Sequence, residues 1–224
     1  MKKNSFIKKV LGISTFIVII IVITIFILLY IPQKTYDDEY FGIETIKSTI
    51  DYNNNGIDDF TDILLGARKD AKNKPKYIDK YYYGGYPPEN EGVCTDVIWR
   101  AFYNAGYELR EMVDSHIKSF PELYPEINGN PDKNIDFRRV QNLKIFFDNN
   151  ATSYSLDPND IEQWQAGDIV IFGKYPNHIG IISDKRNSKG VPYLIHNAGQ
   201  RNREENKLVG YSIKHPIVGH YRFE

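Results

Sequence analysis

Hydrophobic positions along the chain fall into three regimes. From Val10 to Ile31 the run VLGISTFIVIIIVITIFILLYI is uncharged over 22 residues, and a helix of that length, rising ~1.5 Å per residue, would cross a ~30 Å hydrocarbon layer. The expectation there is a transmembrane helix. In the next stretch apolar residues recur at helical spacing, which predicts helices over TDILLGARKDA (Thr61 to Ala71), CTDVIWRAFYNAGY (Cys94 to Tyr107, closed by Gly106) and FRRVQNLKIFF (Phe137 to Phe147). Further on they come in short β-branched runs, DIVIFG, HIGIISD, PYLIHNAG and a final strand near GHYRF, bounded by Gly, Pro, Asn and Asp. Helices followed by antiparallel strands make an α+β domain, N-terminal helices packed on an antiparallel sheet.

Charge orients the chain. Lys2, Lys3, Lys8 and Lys9 precede the apolar run and Asp37, Asp38 and Glu39 follow it, which keeps the N-terminus in the cytoplasm and the C-terminal domain outside. The run exceeds the roughly 7 to 15 residues of a signal-peptide core and ends in LLYIPQK without a small-x-small cleavage pattern, so an uncleaved single-pass anchor in the cell membrane is expected. The predicted organisation is a cytoplasmic stretch at 1–9, an anchor at 10–31, a linker at 32–50 and an extracellular domain at 51–224. Without Lys2, Lys3, Lys8, Lys9 and Lys34 the rest holds 23 basic against 29 acidic side chains. That balance argues against nucleic acid as a partner, and contact with the membrane is expected through the N-terminal helix alone.

Cys94 is the single cysteine, so no intramolecular disulfide is possible. Cys94, Val97, Ile98, Ala101 and Phe102 share one helix face, and a small buried hydrophobe is one reading of the thiol. The other is a nucleophile, because a cysteine in the first helical turn sits at the positive end of the helix dipole, which favours thiolate. A base is available downstream. His178 heads one predicted strand and His196 nearly ends the next, joined by DKRNSKGVP, so a hairpin brings either His196 or Asn197 to face His178. Register decides which. His116, His215 and His220 read as satisfied structural side chains, and Arg138 and Arg139 as solvated helix residues.

In order along the chain, YYYGG (Tyr81 to Gly85), GVCTDVIWRAF, AGDIVIF, HIGIISD and LIHNAG resemble the motifs of the NlpC-type cell-wall cysteine peptidases, a papain-like superfamily. The resemblance covers about Lys80 to Tyr221 and is closest to an uncharacterised branch, a domain of unknown function. It implies a papain-like fold with Cys94 as nucleophile, His178 as general base, His196 as orienter and Tyr81 as a ligand of the site. Tyr83, Asp96 and Asn197 are expected to join Tyr81 in substrate binding, although many members carry Asp-Cys-Ser-Gly where this chain has Val93-Cys94-Thr95-Asp96. The implied function is a hydrolase or amidase acting on peptidoglycan stem-peptide bonds, with peptidoglycan or its peptides as partner and no cofactor for catalysis. The competing functions are a non-catalytic, calcium-stabilised wall-binding module and a papain-like acyltransferase or deacylase.

Calcium enters through residues 51 to 62, DYNNNGIDDFTD. Asp51, Asn53, Asn55, Asp59 and Asp62 occupy loop positions 1, 3, 5, 9 and 12, with Gly56 at 6 and the carbonyl of Ile57 at 7, the spacing that wraps oxygens around Ca²⁺. A metal-free Asn-rich turn ahead of a helix is the alternative. No cluster of Cys and His suggests zinc.

Overall fold

The computed structural model describes residues 13–24 and 33–224, in two units that divide between Lys34 and Thr35. In the first unit, 13–24 form helix α1. The transmembrane helix expected over 10–31 is not upheld: among the described residues no helix is long and apolar enough to cross a membrane. The ends of the run, 10–12 and 25–31, lie outside the described residues.

The second unit runs α2 (Asp59–Asn73), β1 (Lys76–Tyr77), β2 (Glu91–Gly92), α3 (Cys94–Asn104), α4 (Leu109–Ser119), α5 (Val140–Asn150), β3 (Thr152–Ser153), β4 (Ile169–Phe172), β5 (His178–Arg186), β6 (Pro192–Ile195), β7 (Glu204–Glu205), α6 (Leu208–Ser212) and β8 (Ile217–Arg222). Six strands form one sheet in the order β3-β8-β4-β5-β6-β7, every neighbour antiparallel, and β1 pairs with β2 in parallel. The α+β architecture expected from the apolar pattern is present, but its helices do not include a membrane-spanning one among the described residues.

Side chains alternate across the sheet, and both faces are covered. Ile169, Ile171, Ile179, Ile181 and Ile195 pack with Val97, Ile98, Phe102 and Phe147 from the helices, while Val170, Phe172, Ile182 and Leu194 pack with Trp164 and Leu208. Burial on two sides is why these strands are continuous apolar runs instead of alternating ones. Each large side chain so buried contributes about 1.5–3 kcal/mol. The helix α4 was not evident from the apolar pattern, though Leu109, Val113 and Ile117 line its buried face.

The segment expected as a linker packs onto the domain from Thr35 onward. Asp38 pairs with the buried Arg186, the Ile46 N–H donates to Oε1 of Gln165 at 3.0 Å, and Ile43 is buried. Arg186 also donates to the carbonyls of Ile161, Gly190 and Trp164. A guanidinium this deeply placed needs every donor satisfied, so this segment completes the core.

Candidate active site

The nucleophile candidate is set by how α3 begins. Val93 is its N-cap and cannot accept a hydrogen bond through its side chain, so Asp96, three residues on, accepts the Val93 N–H at 2.7 Å, half of a capping box. The same carboxylate receives Nε and Nη2 of Arg138 at 2.8 and 2.9 Å and Nε1 of Trp99 at 2.8 Å. Both ions are buried. Asp96, expected in substrate binding, therefore commits its oxygens to the helix start and a bidentate ion pair. Arg138, expected to be solvated, lies inside because it answers that charge, and it also donates to the Lys80 carbonyl at 3.0 Å.

Cys94 is 4 % exposed in the first turn of α3. Burial pushes its thiol up to about 11, with the Asp96 charge adding to it, while the N–H groups of Ile179, Thr95 and Cys94 itself pull the other way. The thiolate expected from the helix dipole is thus overridden by desolvation, and at neutral pH this sulfur carries its proton. The sulfur reaches the Ile179 N–H, one residue after His178 on β5. No hydrogen bond joins Cys94 to the His178 ring among the described residues, and the ring nitrogen contact of His178 is to His196.

The strand register decides the partner of His178. β5 and β6 pair Ile181 with Ile195, which places His196 on the face that His178 shares and turns Asn197 to the other. Nε2 of His178 lies 2.7 Å from Nδ1 of His196. Asn197 instead donates to the carbonyls of Gly92, at 3.0 Å, and Pro75, at 3.4 Å, tying down the strand that leads into Cys94. Burial, with His196 and His215 nearby, holds the His178 imidazole down at about 3, so the ring is neutral at ordinary pH.

Three residues absent from the sequence expectations complete this surrounding. Oε1 of Glu205 lies 3.1 Å from Nε2 of His196. The Tyr211 ring lies 4.8 Å from that of His178 and 5.7 Å from that of His196, and it stacks on His215 at 4.8 Å. Burial raises the Tyr77 and Tyr211 hydroxyls, and each also senses the Cys94 sulfur. Glu205 sits in a polar stretch, RNREENK, with no periodicity to mark it. Tyr77 was obscured by the denser tyrosine cluster that follows.

Tyr81 and Tyr83 are placed differently from the expectation. The Tyr81 hydroxyl donates to Asp132 at 3.0 Å and accepts from Asn134 at 3.1 Å, while Tyr83 is 97 % exposed. Tyr77 is the tyrosine of this segment whose hydroxyl senses the sulfur. Of the structural histidines, His116 bonds the Tyr124 hydroxyl, and His220 bridges the Ser155 carbonyl and Asp168.

The 51–62 loop closes on its own hydrogen bonds. Asp51 accepts the Asn55 and Gly56 N–H groups, and Asp59 takes the Tyr52 N–H and the Tyr107 hydroxyl. Asp62 receives the amides of Asn53 and Asn55, and the Ile57 N–H bonds Asn55. Among the described residues no three His, Cys, Asp or Glu side chains group together as a metal site of those residue types requires.

Comparison with known proteins places Cys94, His178, His196 and Glu205 inside one shared segment. A family described as a domain of unknown function, DUF1287, matches residues 64–223. A curated relative, the uncharacterized protein YijF of Escherichia coli (strain K12), is 37% identical over 155 residues, 66% of this chain and 72% of the relative. The calcium-like loop precedes the matched segment.

Proposed function

The chain belongs to the DUF1287 family, and from the chemistry of its site we propose that it is a cysteine hydrolase cleaving amide bonds through Cys94, His178 and His196. One observation carries this reading: a helix-initial cysteine whose sulfur reaches the N–H beside His178, with that histidine bonded to a second one. A buried thiol and a neutral imidazole are the reactants of general-base attack, in place of a preformed ion pair.

In this mechanism Nδ1 of His178, the ring nitrogen not engaged by His196, takes the thiol proton as sulfur bonds the carbonyl carbon. The carbonyl π pair moves to oxygen, where the Cys94 N–H at the start of α3 stabilises it. Collapse breaks the C–N bond, the amine leaves with the proton from the imidazolium, and a thioester remains. Water then adds with His178 accepting its proton, and departure of the sulfur restores the thiol. The substrate class, stem-peptide amides of peptidoglycan, is supported by the ordered motifs from Tyr81 to Asn197 that resemble NlpC-type peptidases.

The test is to incubate the purified protein with isolated sacculi and identify released fragments by mass spectrometry, with Cys94→Ala in parallel. New stem-peptide termini from the wild type alone are expected. Identical profiles from the two proteins would overturn the reading.

A further inference from the structure

Glu205 stands at the end of β7, nine residues beyond His196, and meets Nε2 of that ring with Oε1 at 3.1 Å. The neighbouring acid, Glu204, turns to Arg68, Ser183 and Lys185. The two acids therefore serve different ends, and the first has consequences two rings away.

A carboxylate only accepts hydrogen bonds, so the hydrogen of this contact lies on Nε2 of His196. A neutral imidazole has one N–H, which leaves Nδ1 of His196 as an acceptor. The hydrogen in the 2.7 Å contact between the rings must then lie on Nε2 of His178. Nδ1 of His178 is left bare, the one nitrogen able to take a proton from Cys94. We propose that Glu205 is a positioning residue that selects this tautomer of His178 through His196 and, once His178 is protonated, stabilises the imidazolium along the same line.

Its second half rests on the hydrolase reading; the tautomer half does not. The other groups facing these rings cannot replace a fixed anion. Tyr211 and His215 face His178 from α6 and the turn after it, Tyr211 also faces His196, and Arg203 lies close enough for its charge to sense Glu205. Without Glu205 the contact between the histidines can reverse, and a proton already on Nδ1 of His178 would make that ring useless as a base.

The experiment uses the full chain labelled with ¹⁵N-histidine, as wild type, Glu205→Ala, Glu205→Gln and Glu205→Asp. Ring ¹⁵N shifts at neutral pH are expected to show protonated Nε2 and bare Nδ1 on both His178 and His196 of the wild type. Glu205→Ala should give His178 mixed character, whereas Gln, whose carbonyl still accepts, should keep the tautomer without the charge. If Glu205→Ala does not fold, Gln and Asp carry the comparison. With peptide substrates, kcat should fall roughly tenfold or more in Ala and Gln, with KM within about twofold and recovery in Asp. A wild-type His178 protonated on Nδ1 would overturn the proposal, as would an unchanged kcat in both Ala and Gln. Absence of Cys94-dependent cleavage by the wild type would overturn the hydrolase reading instead, and the nitrogen shifts would still decide the role of Glu205.

Discussion

Nε2 of His178 and Nδ1 of His196 meet at 2.7 Å across a diagonal of the β5–β6 hairpin, and the space between them is kept by Gly180. One step beyond the Ile181–Ile195 pair, Gly180 lies opposite His196 on the face of the two rings. A Cβ there would stand 2.7 Å from Cδ1 of Leu194, 2.8 Å from the Ile195 carbonyl oxygen and 3.2 Å from Cβ of His196. Because one of these is backbone, the strand itself would have to move. Gly180→Ala is expected to cost about 1–3 kcal/mol and to separate the two rings. Urea unfolding and peptide turnover measure both effects, and wild-type values in each would count against this role for the glycine.

Cys94 should alkylate as a buried thiol. With its titration pushed up to about 11, against ~8.5 for a free cysteine, the logarithm of the iodoacetamide rate is expected to climb steadily with pH between about 6 and 9, because only the thiolate reacts. A plateau reached near neutrality would reveal a preformed thiolate. Tyr77→Ala, which opens one of the tyrosines close to the sulfur, should raise the rate at fixed pH.

Acid should weaken the fold through His178. Its titration lies at about 3 in the folded protein and near ~6.5 in the unfolded chain, so the unfolded state binds more protons between those values. The stabilisation is complete above about 6.5 and is lost as pH falls toward about 3. Urea unfolding over that window should show a steeper decline for the wild type than for His178→Asn. Parallel curves would refute the attribution.

The Asp96–Arg138 pair makes each of its members depend on the other, since both ions are buried and satisfied chiefly by one another. Removing the cation alone, as in Arg138→Ala, should cost about 3–5 kcal/mol and loosen the start of α3, where Asp96 holds the Val93 N–H. Asp96→Asn combined with Arg138→Leu should cost less than Arg138→Ala, because no charge is left unpaired. The order of the three urea midpoints is the measurement, and equal midpoints for Arg138→Ala and wild type would sink the assignment.

Asn197 is expected to matter for stability more than for chemistry. Its amide satisfies the Gly92 and Pro75 carbonyls, so Asn197→Ala should cost about 1–3 kcal/mol and leave the pH dependence of turnover unchanged. A shifted pH profile at wild-type stability would place Asn197 among the proton-handling groups instead.

Much of the local structure was legible along the chain. Helical spacing marked α2, α3 and α5, and short β-branched runs marked β4, β5, β6 and β8, because these patterns record which side of each element meets the core. The order of a helix-initial cysteine before two strand histidines was equally plain. The short pairings β3 and β7 were not, since strands of two residues carry no period, and α4 lacked a capping side chain at Glu108 to announce it.

What remained belonged to the tertiary structure. Whether His196 or Asn197 faces His178 depends on register, and a slip of one residue exchanges them. Whether Cys94 is thiol or thiolate depends on burial outweighing the helix start, a contest between solvent exclusion and local dipoles that no spacing reveals. Arg138 lies inside because of a carboxylate 42 positions earlier, and Glu205 joins the histidines because β7 lies beside β6. The sequence by itself determined the elements and the kinds of residue they present, since neighbours along the chain dictate backbone period. Only the fold decided their protonation, partners and positions, because charge, burial and register are set by residues distant along the chain and close in space.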